Sequence, residues 1–412
     1  MKVYYGWWIV LGSVVCQLVS MSVSLTAASI FMQPVTADLG WKLSQFTLGS
    51  SAAVGAGALS SVFVGRFLDL RGPKLLVLIG ACTSSICLFL IGSQSNLLVF
   101  ITLYFIGGLI GWNLFGPPVV NATLSKWFIK NRGWALAIGS MGISFSSLLT
   151  PLLLTLIIDS LGWRSAYKIL SILVIIILIP IGLSMRRRPE DYGLLPDGES
   201  ILGKVSTSSL EDISITRSEA LRTRSFWMLT LGFSLIMAGL MSILIHSINF
   251  SIEAGFTGKI AASALTVNGL ANLIGKPIWG YGLQKFNAKL LVVMAYSLAS
   301  LGVIFILATS SYFKIYILYI GFFLYGFGFG GTIPLSQYLY ASYFGRRYIG
   351  SIIGAGHPIQ TFFTALGPLA TASWFDISGS YTSPFLLVIG LFITGAFIVW
   401  KSTSPVLQRK NM

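Results

Sequence analysis

Long apolar runs alternate with short polar breaks along almost the whole chain. A helix needs about 20 apolar residues to cross the hydrocarbon core of a bilayer. The runs near 6–34, 44–68, 75–93, 97–124, 134–158, 165–185, 225–250, 260–284, 289–309, 313–340, 349–374 and 383–400 therefore predict twelve spanning helices. One polar interruption is long. It divides the chain into 1–185, a connector at 186–224 and 225–412, with a short surface helix expected near 216–221.

The two halves repeat. Gly65-Arg66-Phe67-Leu68-Asp69-Leu70-Arg71-Gly72-Pro73-Lys74 follows the second run, and Gly280-Tyr281-Gly282-Leu283-Gln284-Lys285-Phe286-Asn287-Ala288-Lys289 follows the eighth. Gly65 and Gly280, Lys74 and Lys289, Arg132 and Arg347, and Gly139 and Gly354 all share one offset. The fold expected is an all-α membrane protein of twelve transmembrane helices in two pseudo-symmetric six-helix bundles. Such parallel repeats place a ligand site near the midplane where the halves meet.

Composition agrees. The 412-residue chain is 55% hydrophobic and 9% charged, against about 25% charged in soluble domains. The net charge of +15 does not point to nucleic acid, because the basic residues sit in the breaks between runs. With both termini cytoplasmic, 21 of the 27 Lys and Arg lie on the inner side and five outside, leaving Lys276 within a run. That asymmetry is the positive-inside pattern of a multi-pass protein in the cell membrane. No cleavable leader is expected, since Met1–Trp8 leads straight into the first run. Cys16, Cys82 and Cys87 lie in apolar runs and read as packing residues, with no disulfide or metal framework.

Lys276 is the centre of the candidate chemistry. A lysine within a spanning helix costs about 2.5–3.5 kcal/mol on insertion scales, and charges at such depth mark functional sites by default. Asn272 lies one turn earlier on the same helix face. His357, with Pro358 after it, lies at a similar depth and either lines a cavity or donates to a carbonyl. His246, toward the outer end of the seventh run, faces a cavity or interfacial water. Asn113, Gln17 and Tyr325 either contact a ligand or simply tie helices together. Gly107, Gly108 and Gly111, and Gly326, Gly328, Gly330 and Gly331, let helices approach closely.

The acidic residues are placed elsewhere. Asp38, Asp159, Glu253 and Asp376 fall outside, Asp69 at the inner end of the second run, and Glu190, Asp191, Asp197, Glu199, Glu211, Asp212 and Glu219 in the connector. No carboxylate stands deep in a run to relay protons or bind an organic cation, so the cavity should attract an anion. No G-x-x-x-x-G-K-[ST] loop is present, and no cofactor, metal or catalytic constellation is called for. The chain does not read as an enzyme.

These residues carry a resemblance. Gly65-x-x-x-Asp69-x-Arg71-Gly72-x-Lys74 resembles the loop 2–3 signature of the major facilitator superfamily. Four segments resemble the monocarboxylate transporter and oxalate/formate antiporter branch: Tyr5-Gly6-Trp7-Trp8-Ile9-Val10, Asp38-Leu39-Gly40-Trp41, Trp127-Phe128-x-x-x-Arg132-Gly133-Trp134-Ala135-Leu136-Ala137-Ile138-Gly139 and Arg188-Pro189-Glu190-Asp191-Tyr192-Gly193-Leu194-Leu195-Pro196-Asp197-Gly198. The likeness runs from Tyr5 to about Phe385.

The resemblance implies secondary transport of a small organic anion by alternating access, foremost a monocarboxylate moving with a proton. Lys276 takes the place of an arginine that receives the substrate carboxylate in that branch, without its planar fork, and Asn272 orients the substrate. His357 or Gly356 aligns with a lysine of the oxalate-type members. Asp69, Arg66 and Arg71 would form a gating charge cluster at the inner face. Lys276 is favoured as the coupling charge, with His246 or His357 assisting and His246 preferred. A functional monomer in the lipid bilayer is expected. The alternatives are anion exchange of oxalate/formate type, efflux of a hydrophobic drug or siderophore, and a sensor that binds without transporting.

Overall fold

The computed structural model describes residues 4–198, 214–309 and 314–405. Lys2, Arg409, Lys410 and the connector residues Glu199, Lys204, Glu211 and Asp212 lie outside the described residues. Each expected run holds a helix. These are α1 (Gly6–Leu39), α2 (Leu43–Arg71), α3 (Pro73–Ile91) and α4 (Leu97–Trp127). The stretch Arg132–Ser184 holds α5 and α6, on either side of a break at Gly162, whose φ of 77° leaves the right-handed helical region. Then come α7 (Arg224–Glu253), α8 (Gly258–Lys285), α9 (Ala288–Ala308), α10 (Ile315–Phe344), α11 (Ile349–Ser378) and α12 (Thr382–Lys401). A short helix, Arg217–Arg222, precedes α7 and opens on a capping box formed by Thr216 and Glu219.

Among the described residues, nine helical stretches are long and apolar enough to cross a membrane, one of them carrying both α5 and α6. The two remaining helices, α8 and α11, fall short on apolarity rather than on length, with 28 and 30 residues. They are the helices that carry Asn272 and Lys276, and His357. Their polar positions therefore reduce the apolar drive for insertion at the places where the sequence concentrates candidate chemistry.

Two helices are interrupted at positions related by the repeat. In α4 the helix stops at Ile110, turns through Gly111 and a 3-10 segment at Trp112–Phe115, and resumes at Pro117 after Gly116. In α10 the interruption is slight: Gly331, between Gly330 and Thr332, keeps helical angles of φ −73° and ψ −18°. Gly116 and Gly331 are separated by the same offset as Gly65 and Gly280. Glycines and Pro117 explain the breaks, because proline supplies no N–H to the preceding turn.

The chain forms two compact units. Unit 1 contains α1 to α6 and residues 346–358, and unit 2 contains residues 215–345 and 359–412. In unit 1, α1 and α3 both pack on the Arg132–Ser184 stretch, and α2 packs on α4. In unit 2, α8 and α9 both pack on α10, and α7 packs on α12. The opening turns of α11, up to Pro358, belong with unit 1.

Candidate functional site

In unit 2, Lys276 is almost fully withdrawn from solvent, at 2% exposure. Its helix is held against the interruption in α10. A Cβ added at Gly330 would stand 2.6 Å from the Asn272 carbonyl oxygen and 3.3 Å from the Lys276 nitrogen. The backbone of α10 thus lies directly on the Asn272–Lys276 turn. Trp279, one turn further, donates from its indole nitrogen to the Phe327 carbonyl at 2.8 Å. Glycine in α10 thus lets two helices of unit 2 meet backbone to backbone at the turn that carries the buried amine.

The repeat shows what is particular to this turn. Shifted back by the repeat offset, Asn272 and Lys276 correspond to Gly57 and Ser61 in α2. Asn113, in the α4 interruption, donates to the Gly57 carbonyl at 2.9 Å and to Ser60 Oγ at 2.8 Å. The two units use the same turn to brace the broken helix, but the α2 copy carries no charge.

The other candidates in unit 2 are tied to their neighbours. The Tyr325 side chain is fully buried and its hydroxyl donates to the Leu240 carbonyl, joining α10 to α7. His246 is 8% exposed. Its Nε2 lies 3.1 Å from the Pro368 carbonyl oxygen and its Nδ1 lies 3.2 Å from the Tyr381 hydroxyl. A carbonyl only accepts, so Nε2 carries a proton, and in the neutral ring Nδ1 accepts from Tyr381. In unit 1, Gln17 is fully buried and donates from Nε2 to Asn121 Oδ1 at 3.1 Å and to the Gly139 carbonyl at 3.0 Å, linking α1 with α4 and α5. His357 is half-buried on the first part of α11.

Asp69 has partners that the sequence reading did not anticipate. Its Oδ1 is 2.7 Å from Lys126 Nζ, with both side chains 5% exposed or less. It also accepts from the first turn of α11: Gly350 N at 3.1 Å, Ser351 N at 2.7 Å and Ser351 Oγ at 2.6 Å. Asp69 therefore caps α11 from another helix, satisfying N–H groups that a helix start leaves open and placing negative charge at the positive end of the helix dipole. Arg66 and Arg71, expected to share the charge cluster, are exposed. The sequence pointed to the carboxylate but not to its cation, since Lys126 reads as one more basic residue of the α4–α5 loop.

A second polar assembly surrounds that loop. Arg346 donates from Nη1 to the Lys126 carbonyl at 3.0 Å and pairs through Nη2 with Glu190 Oε1 at 2.5 Å. The Asp197 carboxylate accepts from three successive backbone nitrogens, Ile129 and Lys130 at 2.8 Å and Asn131 at 2.9 Å. Three converging N–H groups form an anion nest. Asp197 adopts a positive φ of 59° to reach it. The Arg186 guanidinium sits between the rings of Tyr5 and Tyr192, at 4.0 and 4.2 Å from their centroids. Asp191 bonds Arg187 at 2.8 Å and Arg188 at 2.6 Å. The hydrogen bond from Arg187, and then that from Arg188, hold its carboxyl below the usual carboxylate range. The start of the connector is thus a strap folded onto unit 1. The run Arg188-Pro189-Glu190-Asp191-Tyr192-Gly193, dense in turn formers and charge, was the signal for it.

Comparison with known proteins covers nearly the whole molecule. Residues 13–368 match the sequence model of the Major Facilitator Superfamily. The Multidrug resistance protein MdtG of Dickeya zeae is 26% identical over 86% of this chain and 82% of its own length. An uncharacterized MFS-type transporter, YcxA of Bacillus subtilis, is 24% identical over 84% of this chain and 80% of its own. Among solved structures, the proton:xylose symporter XylE superposes with a TM-score of 0.72 at 16% identity, over 96% of this chain and 95% of that one. The human organic anion transporter MFSD10 superposes with a TM-score of 0.71 at 14% identity, over 96% and 98%.

Proposed function

Because the chain belongs to the Major Facilitator Superfamily, as a multi-pass transporter of the cell membrane, we propose that it is a secondary active exporter of hydrophobic organic compounds. The observation that carries this reading is the likeness to the Multidrug resistance protein MdtG, which extends over 86% of the chain. The orientation proposed puts both termini and the Asp69 end of α2 in the cytoplasm, following the Lys and Arg asymmetry. Substrate moves by alternating access in a functional monomer. Asp69, bonded to Lys126 and the start of α11, is the gate that holds one of the two states.

A second reading rests on Lys276. It is a buried amine within a span, packed against the glycines of α10, and in its protonated form it favours an anionic substrate. The loop motifs support a small monocarboxylate of lactate or pyruvate type as that anion, moved with a proton or exchanged as in oxalate/formate antiport. Lys276 would receive the carboxylate and Asn272 orient it.

One set of assays separates the two. Efflux of ethidium and chloramphenicol, neither of which is an anion, is measured from cells depleted of their own exporters. Uptake of labelled lactate, pyruvate, acetate, oxalate and formate is measured in proteoliposomes, with and without a pH gradient. Export of the hydrophobic compounds with no acid uptake supports the first reading. Saturable acid uptake lost in Lys276→Ala, without drug export, replaces it with the second.

A further inference from the structure

Tyr381 joins two features of unit 2 that the candidate site leaves unused. On one side its hydroxyl reaches His246 Nδ1 at 3.2 Å. On the other it lines a polar pocket of about 200 Å³ bounded by Phe250, Glu253, Ala254, Ser380, Tyr381 and Thr382. The ring is held in place by Phe375, stacked at 4.3 Å, and by Phe385 and Phe250 at 5.4 and 6.2 Å between centroids.

We propose that Tyr381 and His246 form a proton-binding pair, loaded from this pocket. The transfer balances without any further reactant. A proton arriving in the pocket is taken by Tyr381 Oη as the phenol's own proton passes to His246 Nδ1. The product is an imidazolium whose Nδ1–H donates to Tyr381 Oη and whose Nε2–H donates to the Pro368 carbonyl, with the phenolic O–H now directed to the pocket. One positive charge is gained and nothing is oxidised.

The geometry suits both charge states. Each partner of the ring can accept, so the imidazolium keeps both hydrogen bonds of the neutral form. A purely structural histidine needs only the neutral pattern. Charged and polar groups stand close to the tyrosine: Glu253 on α7 and Asp376 on α11 both act on Tyr381, and Asn249 hydrogen-bonds it. Lys259, on the first turn of α8, is exposed. The carboxylates stand at the end of the unit that the Lys and Arg asymmetry assigns to the outside, where protons are delivered. The use of the bound proton in coupling rests on the transport reading, but its binding does not.

The chain has only two histidines, which makes the test direct. Full-length protein labelled with 15N-histidine is placed in lipid nanodiscs, and His357→Gln identifies the His246 signals. As pH falls from about 8 to about 5, the range in which histidine titrates, His246 should pass from one neutral tautomer to the doubly protonated pattern. Tyr381→Phe keeps the ring packing and removes the oxygen that accepts from the imidazolium Nδ1–H, so its His246 should be less protonated than the wild type at each acidic pH. Glu253→Gln alters an exposed side chain, and should leave a smaller charged fraction at each acidic pH even where Tyr381→Phe fails to fold. The proposal is overturned if wild-type His246 remains a single neutral tautomer throughout, or if both variants titrate as the wild type does. Either outcome leaves drug export or acid uptake to be judged by their own assays.

Discussion

Lys126 Nζ lies 2.7 Å from Asp69 Oδ1, and the pair is withdrawn from solvent on both sides. Removing one member of a buried ion pair strands the other and destabilises by about 3–5 kcal/mol, whereas removing both with apolar groups is often nearly neutral. Asp69→Asn should therefore lower the unfolding temperature in detergent and slow transport more than it weakens substrate affinity. The double variant Asp69→Asn, Lys126→Met should recover much of the stability but not the turnover. An Asp69→Asn protein as stable as the wild type would mean that the pair carries no such energy.

The close approach of α2 to the first turns of α11 makes a steric prediction. A Cβ at Gly65 would lie 2.2 Å from the Gly350 carbonyl oxygen, and one at Gly354 would lie 2.3 Å from that of Ser61. Overpacking of this kind costs about 1–3 kcal/mol. Gly65→Ala and Gly354→Ala should each raise the labelling of cysteines placed beside Asp69, as the start of α11 is pushed from α2. Gly269→Ala meets no atom within 4 Å and serves as the control. Equal labelling in all three would remove the steric argument.

Lys276 divides stability from function. Burying an ionisable amine carries a desolvation cost that an apolar side chain of similar size does not. Lys276→Met should unfold at the same temperature as the wild type or higher, yet lose transport of any anionic substrate. Lys276→Arg should retain part of that transport. A Lys276→Met protein with undiminished anion transport would separate the residue from the substrate.

Asp197 holds the strap down. Hydrogen bonds to charged groups contribute about 1.5–3 kcal/mol, and Asp197→Ala removes all three from the α4–α5 loop. Limited proteolysis should then cut the connector faster by an order of magnitude or more, while the membrane helices keep their protection. Unchanged cleavage would show that Glu190 and the Arg186 stack suffice alone.

The strap should also be indifferent to pH across the neutral range. The Asp191 carboxyl is held below its ordinary value by Arg187 and Arg188. A depressed folded-state value contributes stability above the unfolded value of about 3.9, lost only as pH falls through the lower folded one. Proteolytic protection of 186–198 should be flat from about pH 8 to about pH 5 and decline only below about pH 4. A decline near pH 6 would point to a different titrating group.

Ten of the twelve helices were legible from apolar length, while α8 and α11, too polar for that alone, were legible from their length and their place in the repeat. The side-chain links were not legible. Gln17 reaches partners 104 and 122 residues away, Tyr325 reaches one 85 residues away, and His246 reaches two at 135 and 122. Three of those five partners are backbone carbonyls, which every residue supplies and no side-chain pattern marks. Lys126 was hidden differently, as one cation among many at a basic face. The interruptions at Gly116 and Gly331 were within reach, because the same offset that revealed the repeat relates them.

The seat of Lys276 on the α10 break has a consequence for biosynthesis. The ribosome delivers α8 to the translocon before α9 and α10 exist. The backbone that will cover the Asn272–Lys276 turn arrives only with Gly330, two helices later in the chain. Until then the lysine has no α10 to shelter it, and α8 lacks the apolar drive of its neighbours. Its passage into lipid should therefore be deferred, with α8 to α10 expected to enter the membrane together. A nascent chain halted before α10 should leave α8 within reach of the aqueous channel.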